Sequence, residues 1–234
     1  MSHPSGGPAV QGEDPSQDWS RLALATGVTG LAGMVMLFSA VIAISSLGEP
    51  PLDAPSGDAA AFFRDLGAEW AQAAEALASV GMLVFLWFIV GFALLLRRAE
   101  GDPPWRSGVV FASGVLFSAY GVLDASWDAA AHRGGELDDA LAGYAFDVGN
   151  IGFANAWLTM ASFAAAAGWV VVATGMLPTW TGWMAVCSGA GLLVARFLWH
   201  VDGLWFLPYG LVWAWVIVTC VYLVRGRAAG AHGR

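Results

Sequence analysis

Six stretches of the chain are almost continuously apolar: residues 22–47, 71–96, 107–130, 151–176, 181–200 and 204–224. Each is dominated by Leu, Val, Ala, Phe and Gly and reaches the ~20 apolar residues needed to cross a hydrocarbon core of ~30 Å. Backbone polar groups in lipid must be paired within the spanning segment, which a helix achieves alone. The short alternating strands of a membrane barrel are not seen. The pattern therefore predicts an all-α, polytopic membrane protein, a bundle of six transmembrane helices within 21–225. Pro50, Pro51, Pro103, Pro104 and Pro178 fall between spans, and Pro208 fits the first turn of span six.

The flanking segments read differently. Residues 1–20 are rich in Pro, Gly, Ser and Gln, which predicts a disordered cytoplasmic tail, and 226–234 form a second short tail. The opening lacks the basic start and short apolar core of a signal peptide. Residues 48–70 contain the sequence AAAFFRDL; Asp58 is placed to cap a short helix whose Phe62, Phe63 and Leu66 could lie on the outer lipid surface. Residues 131–148 are acidic and broken by Gly, an expected loop. The short cytoplasmic connections leave no room for a catalytic domain there.

Composition agrees with this pattern. Hydrophobic residues make up 58% of the 234, charged residues only 12%, and mean hydropathy is +0.63, more apolar surface than a soluble globule of this size could hide. All ten basic residues are Arg, against eighteen acids, for a net charge of −8. Such an acidic chain is a poor nucleic-acid binder. The absence of Lys excludes a Schiff-base or P-loop chemistry. Cys187 and Cys220 lie inside apolar runs, where packed thiols are expected rather than a disulfide or a metal pair.

Arg placement sets the orientation. Arg21, Arg97, Arg98, Arg106, Arg225, Arg227 and Arg234 share one side, whereas the opposite loops hold only Arg64 and Arg133. The positive-inside rule then puts both termini in the cytoplasm of a multi-pass cell-membrane protein. Trp19, Trp70, Trp105, Trp127, Trp180, Trp183, Trp199 and Trp205 lie near span ends, as interfacial belts require. Small residues at packing distance, Gly27/Gly30/Gly33 and Gly114/Ser118, suit close helix contacts within one chain or the seam of a homo-oligomer.

Ionisable side chains within spans are costly and mark candidate sites. Here they gather in the outer half: Asp124 and Asp128 on span three, Glu75 on span two and Arg196 on span five, joined by the polar Asn155 on span four, with His132, His200 and Asp202 toward the outer face. Asp124, Asp128 and His132 share a face if span three stays helical throughout. With His200 they could hold a divalent metal or act as acid and base. The alternative is interfacial charges satisfied by water and by each other. Arg196 needs a partner at its depth: an ion pair with Asp124, or with Glu75 or Asp128, is the expected structural role, and an anion or lipid head group the functional one.

Catalytic motifs fall short. Gly121, Asp124 and Asp128 resemble the end of the CDP-alcohol phosphotransferase signature, but its upstream half is missing. Asp124-x-x-x-Asp128 lacks the second Asp-rich helix of a prenyltransferase, and Asp138-Asp139 the third Asp of a terpene synthase. His132 and His200 sit too near the rim for a bis-His haem, and Ser188 lacks the His of an intramembrane protease. The segment Leu177-Pro-Thr-Trp-Thr-Gly-Trp183 resembles the Leu-Pro-x-Trp-x-Gly-Trp turn of a group of uncharacterised six-span bacterial membrane proteins. The acidic first outer loop with its short helix, the Arg pair after span two and the Arg after the last span extend that resemblance over most of the chain. It implies the fold and brings no activity.

The sequence reading is thus a membrane protein of non-catalytic structural, sensory or lipid-interacting role, partnered by the bilayer and by a lipid or small-molecule ligand. The alternatives are an enzyme acting on a lipid or isoprenoid in an outer-half cavity and a small transporter or channel. The sequence does not say whether a cofactor is bound.

Overall fold

A computed structural model describes residues 15–51, 54–123, 125–133, 136–199, 201 and 203–226. Asp124, His200 and Asp202 of the expected polar layer lie outside these residues, as do the first fourteen residues and the last eight. The described residues are all-helical: α1 (Pro15–Ser45), α2 (Ser56–Leu66), α3 (Glu69–Glu100), α4 (Trp105–Leu123), α5 (Ser126–Arg133), α6 (Asp139–Thr174), α7 (Thr179–Phe197) and α8 (Phe206–Val224). Five stretches are long and apolar enough to cross a membrane: α1, α3, α4 continuing into α5, α6 and α8. The fifth of the six expected spans, now α7, is 19 residues long and is not among them. Its Thr, Trp, Gly, Ser and Arg residues dilute an otherwise aliphatic helix.

Glycine contacts define how the helices lie. A side chain at Gly33 would strike the Phe85 backbone nitrogen at 2.8 Å, and one at Gly27 the Cys220 carbonyl at 2.8 Å. The Gly27/Gly30/Gly33 stripe is therefore spent inside the chain, where it lets α1 close on α3 and α8. Gly114 packs between Ile89 of α3 and Phe163 of α6. On α6, Gly168 faces Gly182 of α7, Ala161 faces Gly189, and Asn155 meets Arg196. These pairs run in opposite order along the two helices, so α6 and α7 are antiparallel neighbours over their shared length. The same reversal holds for α3 with α4 (Met82–Gly121, Ile89–Gly114), and α7 meets α8 at Gly191 and Pro208.

Two hydrophobic cores result. The larger runs through α1, α3, α4, α6, α7 and α8 and includes Phe85, Phe88, Phe92, Trp213 and Trp215. A second, smaller one joins α2, α5 and the start of α6. Here Phe62, Phe63 and Leu66 are buried against Trp127 and Phe146, whose rings stack at 5.7 Å. The expected lipid-facing helix is thus a core-facing one: an amphipathic face fits a protein partner as well as a bilayer, and distant α5 and α6 supply that partner. Asp58 lies in its first turn rather than at the cap, which Pro55 occupies without a side-chain bond.

Three further boundaries depart from the sequence reading. Helix α1 begins at Pro15, inside the expected tail, where Asp18 pairs with Arg21 at 3.7 Å and Arg98 lies 4.5 Å over the Trp19 ring. Residues 139–148 belong to α6 rather than to a loop, because Asp138 caps the helix through a 2.8 Å bond from the Leu141 N–H. Span three comprises two helices, α4 to Leu123 and α5 from Ser126, with Asp124 between them outside the described residues. Pro178 starts α7 as expected; Thr181 bonds back to its carbonyl at 2.8 Å, and Trp180 and Trp183 face outward.

Candidate polar site at the acidic end

The helix ends carrying Arg97, Arg98 and Arg106 form a basic end; α2, α5 and the start of α6 form the acidic end opposite. The chain builds a polar arrangement at each.

At the basic end, Glu100 terminates α3 and reaches the start of α4. Its Oε1 accepts from the Arg106 N–H at 3.0 Å and from Arg106 Nε at 2.7 Å, and its Oε2 accepts from the Ser107 N–H at 2.8 Å. The carboxylate side chain is 1% exposed. It satisfies backbone donors that the first turn of α4 would otherwise leave orphaned and sits where the helix dipole favours an anion. Arg106 also lies 5.5 Å over Trp169, which meets Trp105 edge to face. Sequence reading missed this latch. Its only sequence signal was an acid placed just ahead of the Pro103-Pro104 helix start, beyond the usual local capping spacing.

At the acidic end, Arg196 meets neither Glu75 nor Asp128. Its Nε and Nη2 both donate to Oδ1 of Asn155, at 2.9 and 2.7 Å, and among the described residues it has no ion pair. Asn155 lies directly across the α6–α7 contact, whereas Glu75 and Asp128 belong to α3 and α5; Asp124, the first expected partner, lies outside the described residues. Asn155 is exposed and Arg196 partly so, on the outward face of the α6–α7 pair.

Glu75 instead faces the Asp128 carboxyl, and its Oε2 is enclosed without a hydrogen-bond partner among the described residues. Trp127 Nε1, on the same short helix as Asp128, is likewise buried without a partner. Asp128 and His132 share α5 at a four-residue spacing, both exposed; Asp124, expected on the same face, lies outside the described residues. Among the described residues no three His, Cys, Asp or Glu side chains converge as a metal site would require. The other two members of that expected set, Asp124 and His200, fall outside the described residues.

A groove of about 420 Å³ opens between the 50–56 segment and α6, lined by Pro50, Ser56, Gly143, Tyr144 and Asp147. Arg196 and Glu75 do not line it. Of the two expected thiols, Cys220 is buried and Cys187 is exposed on α7; both are free. No family model matches the chain, and neither does any curated protein or solved structure.

Proposed function

We propose that the protein is a six-span integral membrane protein of the bacterial cell membrane, both termini cytoplasmic, that interacts with lipid at its acidic end without catalysis of its own. The supporting observation is the Arg196–Asn155 pair: a cation held on an outward face by a neutral amide, with no ion pair among the described residues. The sixth span is supported by the pairing of α7 with α6, since a 19-residue helix beside an apolar one for about 28 Å crosses the same layer. The Leu177–Trp183 turn fits the six-span family it resembles.

Two measurements test this. Single cysteines at Gln17→Cys and Ala229→Cys, in a chain lacking Cys187 and Cys220, should both resist a membrane-impermeant maleimide in intact cells. Labelling of one alone would remove a span. Native mass spectrometry after mild detergent extraction should show retained lipid, and a bare polypeptide mass at the gentlest activation would contradict the lipid role.

The meeting of the Glu75 and Asp128 carboxyls favours a second reading, an enzyme acting on a lipid or isoprenoid. Turnover of a membrane-lipid extract, lost in Asp128→Asn with folding intact, would establish it in place of the first.

A further inference from the structure

The Arg196–Asn155 pair has a surplus of donors. Of the guanidinium's five N–H groups, two are spent on Asn155 Oδ1 and three remain; the Asn155 amide adds two more, with no protein acceptor among the described residues. One positive charge and several unspent N–H donors match an oxyanion with many lone pairs, of which a phosphate is the strongest example.

Depth and surroundings specify the source of that phosphate. Arg196 lies seventeen residues beyond the start of α7 at Thr179, about 26 Å at ~1.5 Å per residue, near the rim of a ~30 Å hydrocarbon core. Its long side chain can reach the head-group layer from there. One turn deeper on the same outward faces stand Leu158 of α6 and Leu193 of α7, both exposed. A soluble phosphate would find no use for this apolar floor, whereas acyl chains would cover it. The basic end offers a contrast within the chain, since Arg106 has its carboxylate in place.

We infer that Arg196 and Asn155 form a head-group site for the phosphodiester of a phospholipid in the leaflet at the acidic end, its acyl chains descending past Leu158 and Leu193. This rests on the lipid-interacting reading above and names the ligand class at that site. The Asn155 carbonyl fixes the guanidinium plane, and the remaining donors take the phosphate oxygens.

The test is native mass spectrometry of the full chain in detergent micelles, titrated with phosphatidylglycerol or with diacylglycerol of the same chains. Wild type should retain phosphatidylglycerol over diacylglycerol. Arg196→Gln should lower that retention about tenfold, the scale of one lost charge-assisted bond, with an unchanged melting temperature. Arg196→Lys, which keeps the charge without the planar fork, should fall between; it also serves if Arg196→Gln does not fold. Equal retention of the two lipids, or phosphatidylglycerol retention indifferent to both Arg196 variants, overturns the site while leaving the lipid role standing. Displacement by glycerol 3-phosphate at equal concentration overturns the lipid source in favour of a free phosphate ester. Wild type that retains neither lipid removes both this site and the broader reading.

Discussion

The two ends of the molecule treat an arginine in opposite ways. At the basic end Arg106 meets a carboxylate that is 1% exposed and closed off by three bonds across the α3–α4 connection. At the acidic end Arg196 meets an amide oxygen and keeps most of its donors unspent. Both sit at helix ends beside aromatic residues, so position alone does not separate them. Hydrogen-bond accounting does. A cluster whose donors and acceptors balance holds helices together, and one with a surplus of donors has room for an acceptor, water or ligand.

That contrast predicts unequal responses to mutation. The largest effect is expected from Glu100→Ala, which strands Arg106 and two backbone N–H groups in a buried place; a loss of about 3 kcal/mol is expected for one partner of a buried pair. A melting temperature in detergent within a degree or two of wild type would show that the latch contributes little. Next is Gly189→Leu on α7, whose side chain would meet the Ala161 carbonyl, 2.8 Å from an added Cβ. Overpacking of this kind costs about 1–3 kcal/mol. Because it pushes α7 from α6, it should also weaken lipid retention at Arg196 while leaving the Glu100 latch intact, as read by native mass spectrometry beside the melt. The smallest effect is Asp128→Asn. An amide at this position can still hydrogen-bond the Glu75 carboxyl, so the stability change should be about 0.5 kcal/mol or less, a melting shift of about two degrees or less. A large loss instead would mean that Asp128 supports α5 in a way the facing carboxyls do not explain.

Much of the fold was legible because hydrophobic runs of membrane length leave few alternatives. The starts of α7 and α6 show the limits of that logic. Pro178 announced the first of them directly. The second was hidden, since the Gly-broken stretch around Gly143 looks like a loop until Asp138 is seen capping it. The inward turn of Phe62, Phe63 and Leu66 was illegible for another reason: the amphipathic pattern fixes which face is apolar, not what covers it, and the cover is Trp127 and Phe146, far along the chain. At the site, the apolar run placed Arg196 near the end of its helix but did not fix its rotation about the α7 axis. That rotation, imposed by the Gly182 and Gly189 contacts with α6, aims the guanidinium at Asn155 rather than at α3 or α5.

The claim that one arginine is scaffold and the other a site is tested most directly by measuring retained phospholipid and melting temperature on the same preparations of wild type, Arg196→Gln and Glu100→Gln. The account predicts separation: Arg196→Gln loses phospholipid at an unchanged melting temperature, and Glu100→Gln melts lower but keeps its phospholipid per folded molecule. If Arg196→Gln lost both in proportion, or neither, the acidic end would be scaffold like the basic one.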